Sequence, residues 1–599
     1  MKHYGLILLL LFSLGANGRA ADPAEKKASK PAKSLQSRKY AVRVSAEVQR
    51  NPAQIKLLWP QEQVLSYVLY RRAFGEQRWS AAPAAVLKGD ADSFIDKKVE
   101  VGVQYEYRID KFAQAYVGRS YICSGIELPL VEDRGAVLLL VESGVAVELQ
   151  DELKRLQQDL TGDSWRVITR QVGRNDSVEK VRRLIRQVYT ENKTDLKTLF
   201  LLGHIPVPYS GSINPDGHKN HLGAWPADLV YADVDGEWKD EKTHKTFNRG
   251  NQENVPDDGK YDRNSIEPDS LELEVGRVDL ADMPAFKLSE VELLRRYLKK
   301  NHRFRHGQVM ALAKGLIDDN FGAFSGEAFG WGAWSNFATF FAADQIDDLD
   351  WFSTLPRMTY LWAYGCGGGS NNKANGVGFT KDFAEQGSQA VFTMLFGSYF
   401  GDWDHPDNFL RAPLAAEGNG LTCVWDGRPH WFFHSMAMGE NIGYAALRTQ
   451  ANDSYSDYLG PDNVRLTLSG ENDDSEWEPN PVHVALMGDP TLRMHVVPPP
   501  IKVSVSKSGQ GNLITWQAPS GIKKIPRQDY AYIVYRGARA DGPFERLGPE
   551  PIKRLSFLDE SKSNSQGTAF YFIKTYSLQT SASGTYFNAS QGVLAQRTE

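Results

Sequence analysis

The sequence predicts a multidomain chain: a central α/β domain, in which helices sandwich a mostly parallel sheet, held between two all-β sandwiches. Three observations predict it. Residues 39–130 and 498–599 carry short alternating apolar runs separated by turn residues, the pattern of strands with one buried face. Between them, nearly continuous apolar runs alternate with segments whose apolar residues recur every three or four positions, which makes a parallel sheet covered by helices. Aromatic residues reach 11 %, with 14 Trp against three Cys in 599 residues. That composition suits packed sandwiches and excludes a disulfide scaffold. A net charge of −5 argues against nucleic acid or an anionic membrane as partner, because both require clustered Lys and Arg.

In chain order, Met1–Ala21 reads as a signal peptide. Lys2 and His3 precede the apolar stretch Leu6–Leu14, and small residues Ala16, Gly18, Ala20 and Ala21 follow. The stretch is too short to span a bilayer, and no other reaches that length. The expected location is therefore secreted or periplasmic, with no integral membrane segment after signal removal. Asp22–Arg38, rich in Lys, Ala, Ser and Pro, reads as a flexible linker. Strands are expected at Ala41–Val48, Ile55–Trp59, Ser66–Arg72 and Gln104–Lys111. Trp59, the Tyr67/Tyr70 strand and Tyr105-Glu-Tyr-Arg-Ile109 resemble a fibronectin type III module. The C-terminal stretch repeats the grammar with Leu513–Trp516, Tyr530–Arg536 and Ala569–Lys574, beyond a stiff hinge at Pro498–Pro500.

The central domain, residues 131–497, reads as strands at Gly135–Glu142, Arg166–Val172, Leu196–Leu202, Val309–Ile317, Arg357–Tyr364 and Ala390–Phe396. Helices are expected at Leu149–Leu160, Val178–Tyr189, Leu288–Asn301, Glu327–Phe341 and Trp431–Leu447, with Cys423–His430 as a loop. Such sheets bind ligands at the carboxyl ends of their strands, and three strands end in unusual chemistry. One runs into Gly203-His204. A second runs into Gly365-Cys366-Gly367-Gly368-Gly369. The third runs into Gly397-Ser398 and on to Asp402-Trp403-Asp404-His405. Cys366, among glycines, is either a poorly shielded nucleophile or a small apolar residue closing a turn. Ser398 offers a hydroxyl. His405, oriented by Asp402, is the candidate base, or else Asp402–His405 is an ordinary capped turn. Catalytic candidates are thus Cys366, His405, Ser398 and Asp402. The Gly367–Gly369 amides are candidate oxyanion donors. Gly365, Gly367, Gly368, His204, Trp403, Trp425, Arg428 and His434 are candidates for lining the pocket, with ordinary packing as the alternative for the aromatics and His434. A Cys366–Cys423 disulfide would remove the thiol.

Several stretches of this domain resemble the gingipain family of cysteine peptidases, which share the caspase-type α/β sandwich. They are Phe200-Leu-Leu-Gly-His-Ile-Pro-Val-Pro208, Ala227-Asp-Leu-Val-Tyr231, Leu273-Glu-Val-Gly-Arg-Val278 and Leu486-Met-Gly-Asp-Pro-Thr-Leu-Arg493. The resemblance implies a peptidase acting on a polypeptide. In the family a His ends one strand within Gly-His-Gly and the nucleophilic Cys ends the next. Here those slots hold Gly365-Cys366-Gly367 and Ser398, so the family dyad is absent and the site is either rebuilt or lost. The alternative function is a non-catalytic secreted protein that binds a peptide, a glycan or an extracellular protein partner. Two acidic loops, with Asp233 and Asp235 in one and Asp257, Asp258 and Asp262 in the other, suit structural calcium, which takes hard oxygen ligands. No other cofactor is expected.

Overall fold

A ten-stranded sheet runs through the middle of the chain in the computed structural model. The structure describes residues 31–76, 78–246, 250–266, 271–324, 327–428, 430–452, 458–461, 482–519, 530–560 and 569–596. The expected signal peptide and the first part of the expected linker lie outside these residues. The strands are β1 (Ala136–Glu142), β2 (Arg166–Val172), β3 (Leu196–Leu202), β4 (Glu274–Val278), β5 (Leu312–Asp319), β6 (Ile346–Asp348), β7 (Tyr360–Cys366), β8 (Ala390–Phe396), β9 (Thr422–Trp425) and β10 (Ala485–Gly488). Their spatial order is β6-β5-β7-β8-β9-β10-β4-β3-β1-β2. Every residue of β1, β7 and β8 is buried, the signature of strands covered on both faces.

The sheet consists of two parallel halves joined through one strand, β10. β2, β1, β3 and β4, the first half, run parallel to one another. β9, β8, β7, β5 and β6 run parallel to one another, and β9 meets β10 antiparallel. β10 pairs with β4 only at Met487 and Arg277 and continues back along it, with Gly488 and Pro490 against Gly276. The carboxyl ends of both halves therefore share one edge, where the Asp407 amide donates to Asp282 O and the Phe409 amide to Asn371 O.

Six helices matter here: α1 (Pro31–Arg38), α2 (Gln150–Gly162), α3 (Val178–Glu191), α4 (Glu290–Arg305), α5 (Trp331–Phe341) and α6 (Ile442–Gln450). Sequence chemistry sets their ends. Ser177 caps α3, and Ser289 with Glu292 forms a capping box on α4. Three expectations are corrected. Residues 31–38 are helical rather than linker, and Ser37 Oγ of α1 donates to Asp319 at 2.6 Å. Residues 422–425 form a strand, not a loop. The helix expected over 431–447 is broken: a short 3-10 turn ends at Gly439, whose φ is +101°, and α6 starts afresh under an Asn441 cap.

Each flank contributes a three-stranded sheet, Ser45–Gln49, Gln54–Leu58 and Ser93–Asp96 on one side, Ile501–Ser508, Gly511–Gln517 and Ser556–Asp559 on the other. Opposite them lies one nine-stranded sheet shared by both flanks, joined where Gly584–Ala589 runs parallel to Val117–Leu128. The flanks repeat their internal chemistry. Trp59 packs on Tyr67 with ring centroids 5.2 Å apart, and Trp516 packs on Tyr532 at 5.4 Å. Asp96 takes Arg71 at 2.8 Å and the Tyr107 hydroxyl at 3.1 Å; Asp559 takes Arg536 at 3.3 Å and the Tyr571 hydroxyl at 2.8 Å.

Candidate active site

β7 and β8 are neighbours in register, with Cys366 opposite Phe396. Cys366, the last residue of β7, is fully buried. Its thiol donates to Asp319 Oδ1 at 3.1 Å, an oxygen that also accepts the amides of Phe321 and Gly322. Burial, and then the Asp319 charge, push the thiol well above its usual range. Among the described residues its hydrogen-bonding neighbours are Asp319, Tyr364 and backbone, with no imidazole. Of the two readings of Cys366, the small residue closing a turn fits and the poorly shielded nucleophile does not. The glycines around it make room for backbone: a Cβ on Gly367 would lie 2.0 Å from the Asn375 carbonyl, and one on Gly365 would crowd Trp351, Leu395 and Val377. The Gly367 amide donates to Phe396 O at 3.1 Å and is spent as an oxyanion donor; Gly368 O accepts from Asn375. All three cysteines are free thiols, so the Cys366–Cys423 pairing does not form.

Ser398, two residues beyond β8, is different. It is only partly buried and its Oγ lies 3.0 Å from His218 Nε2. His218 comes from the first half of the sheet. After β3 the chain runs back through the strand Tyr209–Ile213 and delivers Asn214–His221 to the carboxyl edge of β8. Asp216, buried in that turn, accepts His221 Nδ1 at 2.6 Å and the amides of His218 (3.5 Å) and Tyr399 (3.3 Å). The ring of His221 sits 3.8 Å from that of Tyr399 and 4.7 Å from that of His218. Burial alone would raise the Asp216 pKa, but His221 and then His218 hold it below the usual carboxylate range. Partial burial lowers His218; Asp216 pulls the other way, and His221 and Arg428 add to the lowering. A neutral His218 carrying its proton on Nδ1 offers Nε2 as acceptor to the Ser398 hydroxyl.

Arg428 closes one side of this notch. It pairs with Glu327 at 2.6 Å and donates to Pro215 O, and its guanidinium leaves no room for a Cβ on Gly217. Trp425 lies beneath the notch, fully buried, with Nε1 donating to Gly397 O and its ring stacked on Trp225.

The remaining candidates lie elsewhere. His204 follows β3, and its Nδ1 meets buried Asp279 at 2.8 Å; that hydrogen bond raises its pKa against burial. The segment after Ser398 runs along the same edge to this point. Arg411 bridges the carbonyls of Ala281 and His405, and the Asp407 amide donates to Asp282 O. His405 is held there, exposed, its ring bonded to the adjacent Pro406 carbonyl rather than to Ser398. Asp402 is buried in the same segment, with its carbonyl taking the His405 amide. Trp403 is buried beneath the Arg277 guanidinium at 4.7 Å. His434 is buried against Glu106 of the N-terminal flank, Nε2 to Oε1 at 2.5 Å. Both side chains are buried, so the pair serves packing between the N-terminal flank and the 3-10 turn. The acidic loops separate too. Asp233 and Asp235 converge with Glu272 within 4.8 Å. Asp258 pairs with Lys260, Asp262 caps the Glu241 and Lys242 amides, and Asp257 takes a left-handed φ of +65° in its turn.

Sequence reading missed His218, Asp216 and His221. The available signal was Asn214-Pro-Asp-Gly-His-Lys-Asn-His221, where a turn-forming run carries two imidazoles and a carboxylate.

No protein-family model matches the chain, and no curated protein matches it. Among solved structures it is similar to the Arg-specific cysteine proteinase gingipain R, with 14 % identity over 77 % of this chain and 99 % of that one and a TM-score of 0.43. A Fn3-like protein from Clostridium thermocellum matches 17 % of this chain and 93 % of its own at 17 % identity, TM-score 0.12. Pectate lyase PelI from Erwinia chrysanthemi matches 17 % of this chain and 33 % of its own at 16 % identity, TM-score 0.12. Likenesses this shallow decide no activity; the side chains must carry that reading. No helix among the described residues is long and apolar enough to cross a membrane.

Proposed function

We propose that the chain is an exported hydrolase of polypeptide substrates, with Ser398 as nucleophile and His218 as general base. The observation that carries this is the 3.0 Å contact between Ser398 Oγ and His218 Nε2 in an accessible notch at a strand end. Nε2 takes the hydroxyl proton as Oγ attacks the substrate carbonyl. The imidazolium returns that proton to the departing amine, and His218 then activates the water that hydrolyses the acyl-serine. The gingipain-type motifs support the same position, since the family's nucleophile slot falls on Ser398. His218 takes over the base that the Gly365-Cys366-Gly367 turn lacks. On this reading the centre is a gingipain-like, caspase-type domain and Cys366 is structural. The flanks are fibronectin type III-like modules, a reading supported by their matching Trp–Tyr pairs and Arg–Asp–Tyr clusters. Met1–Ala21 is the export signal.

A second reading, a non-catalytic binder of peptide or glycan, is favoured by one feature: the carboxylate nearest His218 is hydrogen bonded to His221 rather than to the His218 ring. A fluorophosphonate probe with hydrolysis of denatured casein separates the two. Labelling and turnover that vanish in Ser398→Ala support the hydrolase. A wild-type chain that neither labels nor cleaves supports the binder.

We further propose a structural calcium ion at Asp233, Asp235 and Glu272. The three offer carboxylate oxygens within 4.8 Å of one another, the hard ligands calcium takes, and burial together with the Asp235 and Asp233 charges raises Glu272 to about 6. Arg263, 3.5 Å from Asp233, is the cation an ion would displace. Calcium should then raise the melting temperature of the wild type and not of Glu272→Gln.

A further inference from the structure

Far from the Ser398 notch, two helices end at the same place. α2 finishes at Gly162 and α4 at Arg305, and each brings its last turn to the other. The last turn of α2 carries Asp159. The last turn of α4 carries His302, and His306 caps it, with its amide donating to the His302 carbonyl at 3.1 Å. Residues four apart on a helix share a face, so both imidazoles address the one carboxylate. His302 Nδ1 lies 2.7 Å from Asp159 Oδ2, and His306 Nε2 lies 2.8 Å from Oδ1. The two rings stand 4.2 Å apart.

We propose that Asp159, His302 and His306 form a binding site for a divalent transition-metal ion of the zinc class. Four features support it. Two imidazole nitrogens and a carboxylate oxygen are the donor set such ions take, and three protein ligands leave a position for water. All three ligand atoms already lie within 4.8 Å of one another. Ligands about 2.0–2.2 Å from one tetrahedral ion sit about 3.3 Å apart, so the two contacts need open by only about half an ångström as the ion replaces the bridging protons. The carbonyl ends of two helices meet here, and that end of a helix favours a cation. The neighbouring cation, Arg305, does not compete: it is committed to Asp489 at 2.6 Å and to Asp163 at 3.4 Å. His302 and His306 keep 27 % and 18 % of their side-chain surface exposed, which leaves an entry path.

The site also has a structural consequence. The Asp159 carbonyl accepts the Gln591 side-chain amide, and Gly162 O accepts the Gly592 amide. An ion here would pin α2 to α4 at the point where the C-terminal flank is seated.

The test is calorimetric titration of the metal-free full-length protein with Zn²⁺ alone, followed by Co²⁺ for its visible d–d bands. The expected result is one tight Zn²⁺ per chain and a tetrahedral cobalt spectrum, both lost in His302→Gln/His306→Gln. Loss of an outer-shell partner alone weakens metal sites 10–100-fold, so loss of ligands should cost at least about 100-fold. Gln retains a hydrogen-bonding side chain at both positions, and Asp159→Asn gives an independent variant should the double one fold poorly. A wild type that binds no zinc overturns the proposal. So does a stoichiometry that survives in folded Asp159→Asn and in the double variant, which would assign the ion to other histidines among the 12 in the chain.

Discussion

β7 and β8 lie side by side and end in a thiol and a hydroxyl, each flanked by glycine, and the two ends have opposite fates. Cys366 stays inside the last register pair of its strand. Its thiol donates to one Asp319 oxygen, and Ser37 of α1 donates to the other. Ser398 lies two residues past its strand, where a turn from the far half of the sheet sets His218 against it. The difference teaches that nucleophile chemistry at a strand end depends on what covers the end. A buried thiol donating to a carboxylate is held protonated and loses the thiolate that makes sulfur reactive. An accessible hydroxyl accepted by a neutral imidazole gains a proton acceptor.

The sharpest way to break this comparison is to remove the two groups in turn. Ser398→Ala should lower turnover by about four orders of magnitude or more, as loss of a nucleophile does. Cys366→Ala should leave kcat within about threefold on a protein that remains folded, because the thiol does not touch substrate on this reading. Steady-state kinetics on a peptide substrate reads both. The reverse ranking would move the nucleophile to sulfur.

His218→Ala should cost about 10²- to 10⁴-fold in kcat, the usual contribution of a general base. The pH profile sharpens the assignment. His218 accepts the serine proton only when neutral, and burial, aided by His221 and Arg428, lowers its pKa. Activity should therefore be at its plateau by neutral pH and fall on acidification, with a midpoint below the ordinary imidazole value of about 6.5. A kcat/KM midpoint above that value would point to a different base.

The two strand ends also touch, which yields a smaller effect. A Cβ on Gly369 would lie 2.4 Å from the Ser398 amide nitrogen, whereas one on Gly368 would meet only the Asn375 side chain, at 3.2 Å. Gly369→Ala should shift Ser398 off His218 and lower kcat by about 10- to 100-fold, the scale of an ångström's misplacement. Gly368→Ala should fall within about threefold of wild type. Equal effects would show that the β7 loop does not seat the serine.

Much of the fold was legible in the sequence, and the reason is periodicity. The buried runs at Leu196–Leu202 and Ala390–Phe396 are strands with those bounds, and the Arg166–Val172 strand and the Val178 start of α3 are also as expected. The short strands Thr422–Trp425 and Glu274–Val278 were not read as strands, because four or five residues carry too little pattern. The site was half legible. Ser398 follows from strand-end logic, but His218 does not, because no local pattern records that the turn after Tyr209–Ile213 folds against the end of β8. All of these loops share the carboxyl edge, and which of them reaches Ser398 is set by long-range contacts: Asp279 and Arg411 hold His204 and the His405 backbone, while Asp216 and Tyr399 seat the Asn214–His221 turn. The glycines around Cys366 leave it open in the sequence between an accessible thiol and a small residue closing a turn. In the fold those glycines admit neighbouring backbone rather than solvent.

The last prediction tests the buried end directly. Native protein treated with iodoacetamide should leave Cys366 unmodified, since the sulfur is fully buried and its pKa is raised by burial and by Asp319. Labelling should begin only with denaturant. Cys366→Ala removes a donor to Asp319, but Oδ1 keeps the Phe321 and Gly322 amides and Oδ2 keeps Ser37. The loss of stability should then sit near the low end for a broken buried hydrogen bond, about 1 kcal/mol. Cys366→Ser, which restores a donor at nearly the same place, should recover part of it. The measurement is a pair of denaturation midpoints. A loss of 3 kcal/mol or more, on the order of a stranded buried charge, would mean that the thiol proton holds Asp319 in place far more tightly than two amides and a serine can.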